Sequence, residues 1–246
     1  MFNTLLAMAD SDLIHGQRLA ELCSKGPELE IDIALSNIGL DFLGQARMLY
    51  QRAAAYAPQP TDEDKLAYLR TEREYRNNLL VEQPNKDFAY TIVKQYLLDN
   101  FRKHFLQNLM NAKDQDLAGI AGKAVKENTY HLKFSTDWLL RLGDGTAVSH
   151  DKTQAALDYL WPYCFDLFVM SGHDRNVTES GNFPDLSDIE KNWLDDVTAG
   201  LKTASLTIPD NYMKYTGGKD GNHTEYLGYI LAELQYLQRS YPGLNW

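Results

Sequence analysis

Asp41 and Gln45, and later Glu127 and His131, repeat one pattern: a carboxylate followed one helical turn on by a hydrogen-bonding partner. Asp10 precedes the first pair and Asp99 the second by similar intervals, so the chain reads as a duplicated unit of one carboxylate and then a carboxylate with a helper. Carboxylate oxygens and imidazole nitrogens at such positions suit iron or manganese. Di-iron helical proteins take one Glu from each of two helices and a Glu-x-x-His pair from each of the other two. Here the required third-residue histidines are absent: Gly44 follows Asp41 and Tyr130 follows Glu127 at that offset. His131 is one position later, turned by roughly 100° around the helix. Three of the four carboxylates are Asp, one methylene shorter than Glu. No working metal site is therefore expected in this chain. Buried carboxylates must then be held by ion pairs and hydrogen bonds, with Lys94, Arg47 or Lys126 as expected cations.

The elements that would carry these groups are helical. Ile31, Ala34, Leu35, Ile38, Phe42, Ala46 and Leu49 recur at three- and four-residue steps, which is one apolar stripe on a helix. Similar stripes place core helices near 4–25, 28–57, 86–112 and 115–143, the last read through Ile120, Ala124, Glu127, His131, Phe134 and Trp138. Accessory helices are expected near 63–81, 149–170, 186–204 and 222–240, with a polar loop over 171–188. Strand-like alternation between turn signals is missing. Short links at 26–27 and 113–114 make consecutive helices antiparallel neighbours, and the long link from 57 to 86 reads as a crossover. Two helical hairpins joined by a long crossover form a ferritin-like four-helix bundle, so the expected fold is all-α, one domain over 1–246 with accessory helices.

Composition bounds the function. The 24 Lys and Arg against 34 Asp and Glu give a net charge of −10, a poor basis for phosphate contacts and hence for nucleic-acid binding. Charges interrupt every apolar run well short of the roughly 20 residues that span a bilayer. The start, MFNTLLAMADSDLIHG, has no basic leader pattern. Two cysteines, Cys23 and Cys164, neither make a disulfide framework nor show ligand spacing, and a cytoplasmic setting is expected.

Weaker motifs read as structure. Gly217-Gly218-Lys219 lacks the rest of a phosphate loop and is expected to be a turn. His223-Thr224-Glu225 is expected to start a helix capped by Thr224. The run from Arg70 to Arg76 is expected to be a solvated face with i,i+4 pairs, with a contact between subunits as its alternative. Tyr226, Tyr229, Tyr236 and Tyr241 are expected in the core, or else at an interface.

Longer stretches carry a resemblance: PELEIDIALSNIGLDFLGQAR (27–47), LLVEQPN (79–85), KENTYHLKFSTDWLLRLGDGT (126–146), YTGGKDGNHTEYLG and AELQYLQR (215–239). In these, and over nearly the whole chain, the sequence closely resembles the PaaC family, the structural subunits of the bacterial phenylacetyl-CoA 1,2-epoxidase of phenylacetate catabolism. The resemblance is weakest over 1–9 and 165–195. It implies a ferritin-like, noncatalytic subunit that has lost its metal site, so that Asp10, Asp41, Gln45, Asp99, Glu127 and His131 would be vestigial. It further implies a PaaA-like catalytic partner holding the di-iron centre and the CoA thioester, and a small PaaB-like bridging subunit. A reductase with FAD and an iron–sulfur cluster would pass electrons from NADPH by transient contact. No cofactor is expected in this chain, which could form a homodimer when isolated. Two alternatives stay open: a di-metal oxidase active through an irregular Asp/Glu/His site, and a ferritin-like iron store.

Overall fold

The computed structural model describes residues 1–210 and 212–244, and no strand occurs among them. Its helices are α1 (Phe2–Ala20), α2 (Leu29–Ala54), α3 (Glu63–Tyr68), α4 (Phe88–Leu109), α5 (Gln115–Gly143), α6 (Ala147–Leu160), α7 (Gly172–Glu179), α8 (Leu186–Thr203), α9 (Glu225–Leu234) and α10 (Tyr236–Ser240). They fall into two compact units, one of Met1–Pro84, Ser171–Asp174 and Gly217–Trp246, the other of Asn85–Met170 and Arg175–Thr216.

The first unit is organised by the α1–α2 hairpin, with α3 on α2 and α9 on α1. The α2 stripe of Ile31, Leu35, Ile38, Phe42, Ala46 and Leu49 is buried, as apolar periodicity demands. Gly16 and Gly39 let the two backbones approach closely: a Cβ on Gly16 would lie 3.2 Å from the Gly39 carbonyl oxygen. The helix expected over 63–81 stops at Tyr68. Beyond it, backbone donors are used by side chains elsewhere. The Arg76 N–H goes to Asp10 and the Asn78 N–H to Ser11, while Thr71 and Glu74 close a capping box around a single 3₁₀ turn. A chain whose N–H groups are claimed this way has none left for the i−4 ladder. The segment over 222–240 is broken into α9 and α10. Tyr229, Tyr236 and Tyr241 are exposed there, while Leu227, Ile230 and Leu231 form the buried stripe, which corrects the expected core placement of the tyrosines.

The second unit is built on α4, against which α5, α6 and α8 all pack. That surrounds α4, and residues on nearly every face of it are buried, polar ones included. Asp87, Asp114, Thr146 and Asp185 cap α4, α5, α6 and α8 with side-chain oxygens, which places part of the acidic excess at helix N-termini where it is favourable. Trp193 of α8 donates its indole N–H to the Leu97 carbonyl at 2.9 Å and stacks on Trp161. After Leu160 the chain tightens into a 3₁₀ segment over Trp161–Phe168 with Pro162 in its first turn; proline has no N–H to give the α-helical ladder. Within the stretch expected to be a loop, α7 forms instead.

Candidate functional site

The α5 stripe runs one position away from its sequence reading. Leu117, Ala121, Ala124, Asn128, His131, Ser135 and Leu139 are buried, whereas Ile120, Glu127, Phe134 and Trp138 lie at the margin. Helix phase decides this: 3.6 residues per turn lets two adjacent stripes look alike when both are mostly apolar. Glu127 is thereby moved out to a partly exposed pair with Lys123 at 3.5 Å. His131 stays buried, with its ring edge toward Tyr130. On α2, Gln45 is buried on the stripe while Asp41 is half-buried beside it.

Asp10, from the middle of α1, is fully buried and saturated with donors. The Tyr50 hydroxyl donates to Oδ1 at 2.5 Å, Arg70 Nη1 to Oδ2 at 3.0 Å, and the Arg76 backbone N–H to Oδ2 at 2.8 Å. Arg70 Nη2 makes a further short bond to Oδ1. A carboxylate has about four acceptor positions, and all are taken, two by a cation. Burial, then the Asp10 charge, pushes the Tyr50 phenol well above its ordinary range and keeps it a proton donor. None of the cations expected from sequence fills this role. Arg47 pairs with Glu63 at 3.5 Å and Lys94 donates to Asn85 at 3.0 Å. The actual partner, Arg70, belongs to the run expected to be solvated.

A second buried carboxylate, Glu82, lies in the same unit. It accepts from Asn77 Nδ2 at 2.9 Å, the Thr224 N–H at 2.6 Å and His223 Nδ1 at 3.0 Å. The other His223 nitrogen faces the Tyr75 carbonyl oxygen at 3.0 Å. Both ring nitrogens therefore meet acceptors and both must donate, which defines an imidazolium. Burial opposes that charge, but Glu82 and the Tyr75 carbonyl outweigh it and raise the His223 pKa. Thr224 does occupy the N-cap of α9, yet its hydroxyl makes no capping bond, and its N–H serves Glu82 instead. Gly217 and Gly221 take positive φ around a 3₁₀ turn, from which Lys219 reaches buried Asp174 at 3.3 Å.

In the second unit Asp99 is fully buried, and its carboxylate accepts from Gln95 Nε2 at 2.7 Å and Ser135 Oγ at 2.8 Å. Burial pushes its carboxyl up to about 7, against the opposing hydrogen bonds from Ser135 and Gln95 and the charge of Arg102. Asn128 ties the Asp99 carbonyl oxygen to α5 at 3.0 Å.

Di-iron chemistry needs carboxylates with oxygens to spare. Asp10 has none, the two donors on Asp99 are neutral side chains, and among the described residues no three His, Cys, Asp or Glu gather around one point. The residues as placed do not fit that cofactor. Arg70, Tyr50, Glu82, His223, Asn128 and Ser135 were not singled out from sequence as parts of these networks. Arg70 lies 60 residues from Asp10 and His223 lies 141 residues from Glu82, with no shared helical period, while Asn128 and Ser135 would follow from the correct α5 phase.

Residues 1–246 match the family model described as phenylacetic acid catabolic protein, whose fold is ferritin-like and helical. The chain is 48% identical over 241 residues to a protein of Escherichia coli (strain K12) named as one of the subunits of 1,2-phenylacetyl-CoA epoxidase, covering 98% of this chain and 97% of that protein.

Proposed function

Because the chain belongs to the phenylacetic acid catabolic protein family, we propose that it is the noncatalytic, structural subunit of a phenylacetyl-CoA epoxidase, paired with a catalytic di-iron subunit. One observation carries the noncatalytic part. At Asp10, where a metal-binding relative would offer open oxygens, a guanidinium, a phenol and a backbone N–H occupy the carboxylate. An internal cation has taken the place a metal cation would need, so the helix pair is held together by its own side chains. The 48% identity with a protein named as an epoxidase subunit supports the multisubunit part.

In this reading iron, oxygen activation and the CoA thioester belong to the PaaA-like partner, and a small PaaB-like subunit bridges. The reductase supplies electrons from NADPH through FAD and an iron–sulfur cluster. This chain contributes a rigid helical surface and carries no cofactor. Free thiols at Cys23 and Cys164 suit a reducing cytoplasm, and no helix among the described residues is long and apolar enough to cross a membrane.

Co-expression with the catalytic subunit tests the pairing. A stable complex that survives size exclusion is expected, and a chain that elutes alone overturns the role. Elemental analysis of the purified chain after iron loading tests the other half. Well under one iron per protomer is expected; two tightly bound irons would return the di-metal oxidase.

A further inference from the structure

A cleft of about 490 Å³ lies between α3 and the chain end that follows α10, both within the first unit. Tyr68 and Leu69 at the end of α3, and Tyr241 and Leu244 beyond α10, give it apolar walls. Leu69, Tyr241 and Leu244 are 50%, 54% and 57% exposed, and Leu237, one helical turn before Tyr241, is 47% exposed. Apolar and tyrosyl surface gathered in this way marks a contact with another protein.

The polar atoms of the cleft are mostly acceptors. Asp62 is engaged: it caps α3 and holds Lys65, the cation among the lining residues, at 2.9 Å. Asp64 is exposed, and among the described residues no cation pairs with it. Its charge falls on Tyr68, whose phenol is raised above its ordinary range by burial and then by Asp64. Gln238 of α10 also lines the cleft, and its Oε1 is a buried acceptor with no hydrogen-bond partner. Leaving such an atom unfilled is costly, so the amide gains by turning Oε1 toward a donor that enters.

These groups select the occupant. An anion would meet two carboxylates, and a neutral apolar group would leave Asp64 and Gln238 unmatched. An ammonium is a compact, strongly hydrated charge, whereas a guanidinium is weakly hydrated, carries five donors in a plane and packs on aromatic rings. Its aliphatic stem can lie along apolar walls.

We propose that this cleft receives an arginine side chain of a partner subunit, its guanidinium on Asp64 and Gln238 and its stem against Tyr68 and Tyr241. This rests on the reading of the chain as an epoxidase subunit and names a place where a partner docks. Arginine and tyrosine are among the residue types that dominate binding energy at such contacts.

Two measurements test it. The full-length chain is titrated with N-acetyl-arginine methylamide and with the uncharged citrulline analogue, followed by backbone amide NMR. The arginine probe should shift resonances around Leu69 and Gly243 at millimolar concentration. The citrulline analogue should bind roughly tenfold more weakly, and Asp64→Asn should weaken the arginine probe by about the same factor, since each removes one charge-assisted hydrogen bond. In the assembled complex, Asp64→Lys should weaken partner binding by at least about tenfold, and more so at low salt. Asp64 is exposed, so the fold should survive the change, which an unaltered circular dichroism melt of the free variant checks. No shift with the arginine probe, equal binding of the citrulline analogue, or a complex as tight with Asp64→Lys as with the parent would overturn the proposal. A parent chain that takes the arginine probe in this cleft yet binds no partner subunit would overturn the subunit reading instead, leaving the cleft an arginine site.

Discussion

Arg70 is the counter-ion of Asp10: its Nη1 lies 3.0 Å from Oδ2 and its Nη2 meets Oδ1, in a pair whose side chains are 11% and 0% exposed. The guanidinium also stacks over the Tyr75 ring, 4.4 Å from its centroid, so the cation is held on one side by charge and on the other by an aromatic face. This pair joins α1 to the irregular segment that follows α3, two parts of the chain that sequence separates widely.

Removing one member should be worse than removing both. Arg70→Met leaves the Asp10 charge buried with only Tyr50 and the Arg76 N–H as donors, and should cost about 3–5 kcal/mol in urea unfolding. Asp10→Asn combined with Arg70→Met removes both charges and should recover a large part of that loss. A double variant no more stable than Arg70→Met would show that the pair's charges are not what matters there.

Asp99 sets an acid-side pH dependence. Its folded carboxyl titrates at about 7, above its ordinary 3.8, so between those values the unfolded chain has already lost the proton that the native state keeps. The Asp99 contribution to stability therefore falls as pH rises from about 4 to about 7 and levels off above, by an amount on the order of a few kcal/mol. Asp99→Asn should match the parent near pH 4 and exceed it at pH 8 in chemical denaturation. A parent chain at least as stable as the variant at pH 8 would contradict this.

His223 acts at the other end of the scale. Its pKa is raised in the folded state by Glu82 and the Tyr75 carbonyl, which outweigh burial. The stability it adds is complete below its unfolded pKa of about 6.5 and fades as pH climbs through the higher folded value. The parent should lose stability on the alkaline side of neutrality, and His223→Gln should be less stable than the parent at pH 6 by more than at pH 9. Thermal melts at the two pH values decide it.

Gly221 is required by its backbone. Its φ is +82°, and a Cβ there would lie 2.4 Å from the Arg73 carbonyl oxygen. Gly221→Ala should destabilise the chain by about 1–3 kcal/mol, read as a lowered urea midpoint with an unchanged slope. An unaltered midpoint would show that the loop yields without cost.

Periodicity made the long helices legible, because an apolar stripe at 3.6-residue spacing has to be buried whatever else the chain does. Asp10 and Asp99 stood out by their similar intervals before Asp41 and Glu127. Glu127 was placed by periodicity and fell a step outside, since Phe134 and Trp138 extend a neighbouring stripe that is apolar enough to mislead. The helix expected through 63–81 failed where Arg76 and Asn78 give their N–H groups to α1 side chains, a competition no local pattern records.

The helical class, the positions of the helix pairs, and the missing histidines at Gly44 and Tyr130 are legible in the residues alone. Those are properties of local spacing. The identity of the counter-ion at Asp10, the imidazolium between Glu82 and Tyr75, and the neutral Ser135 donor on Asp99 come from the tertiary structure alone. Each depends on which distant donor arrives within about 3 Å, and hydrogen bonds of that kind leave no period in the chain.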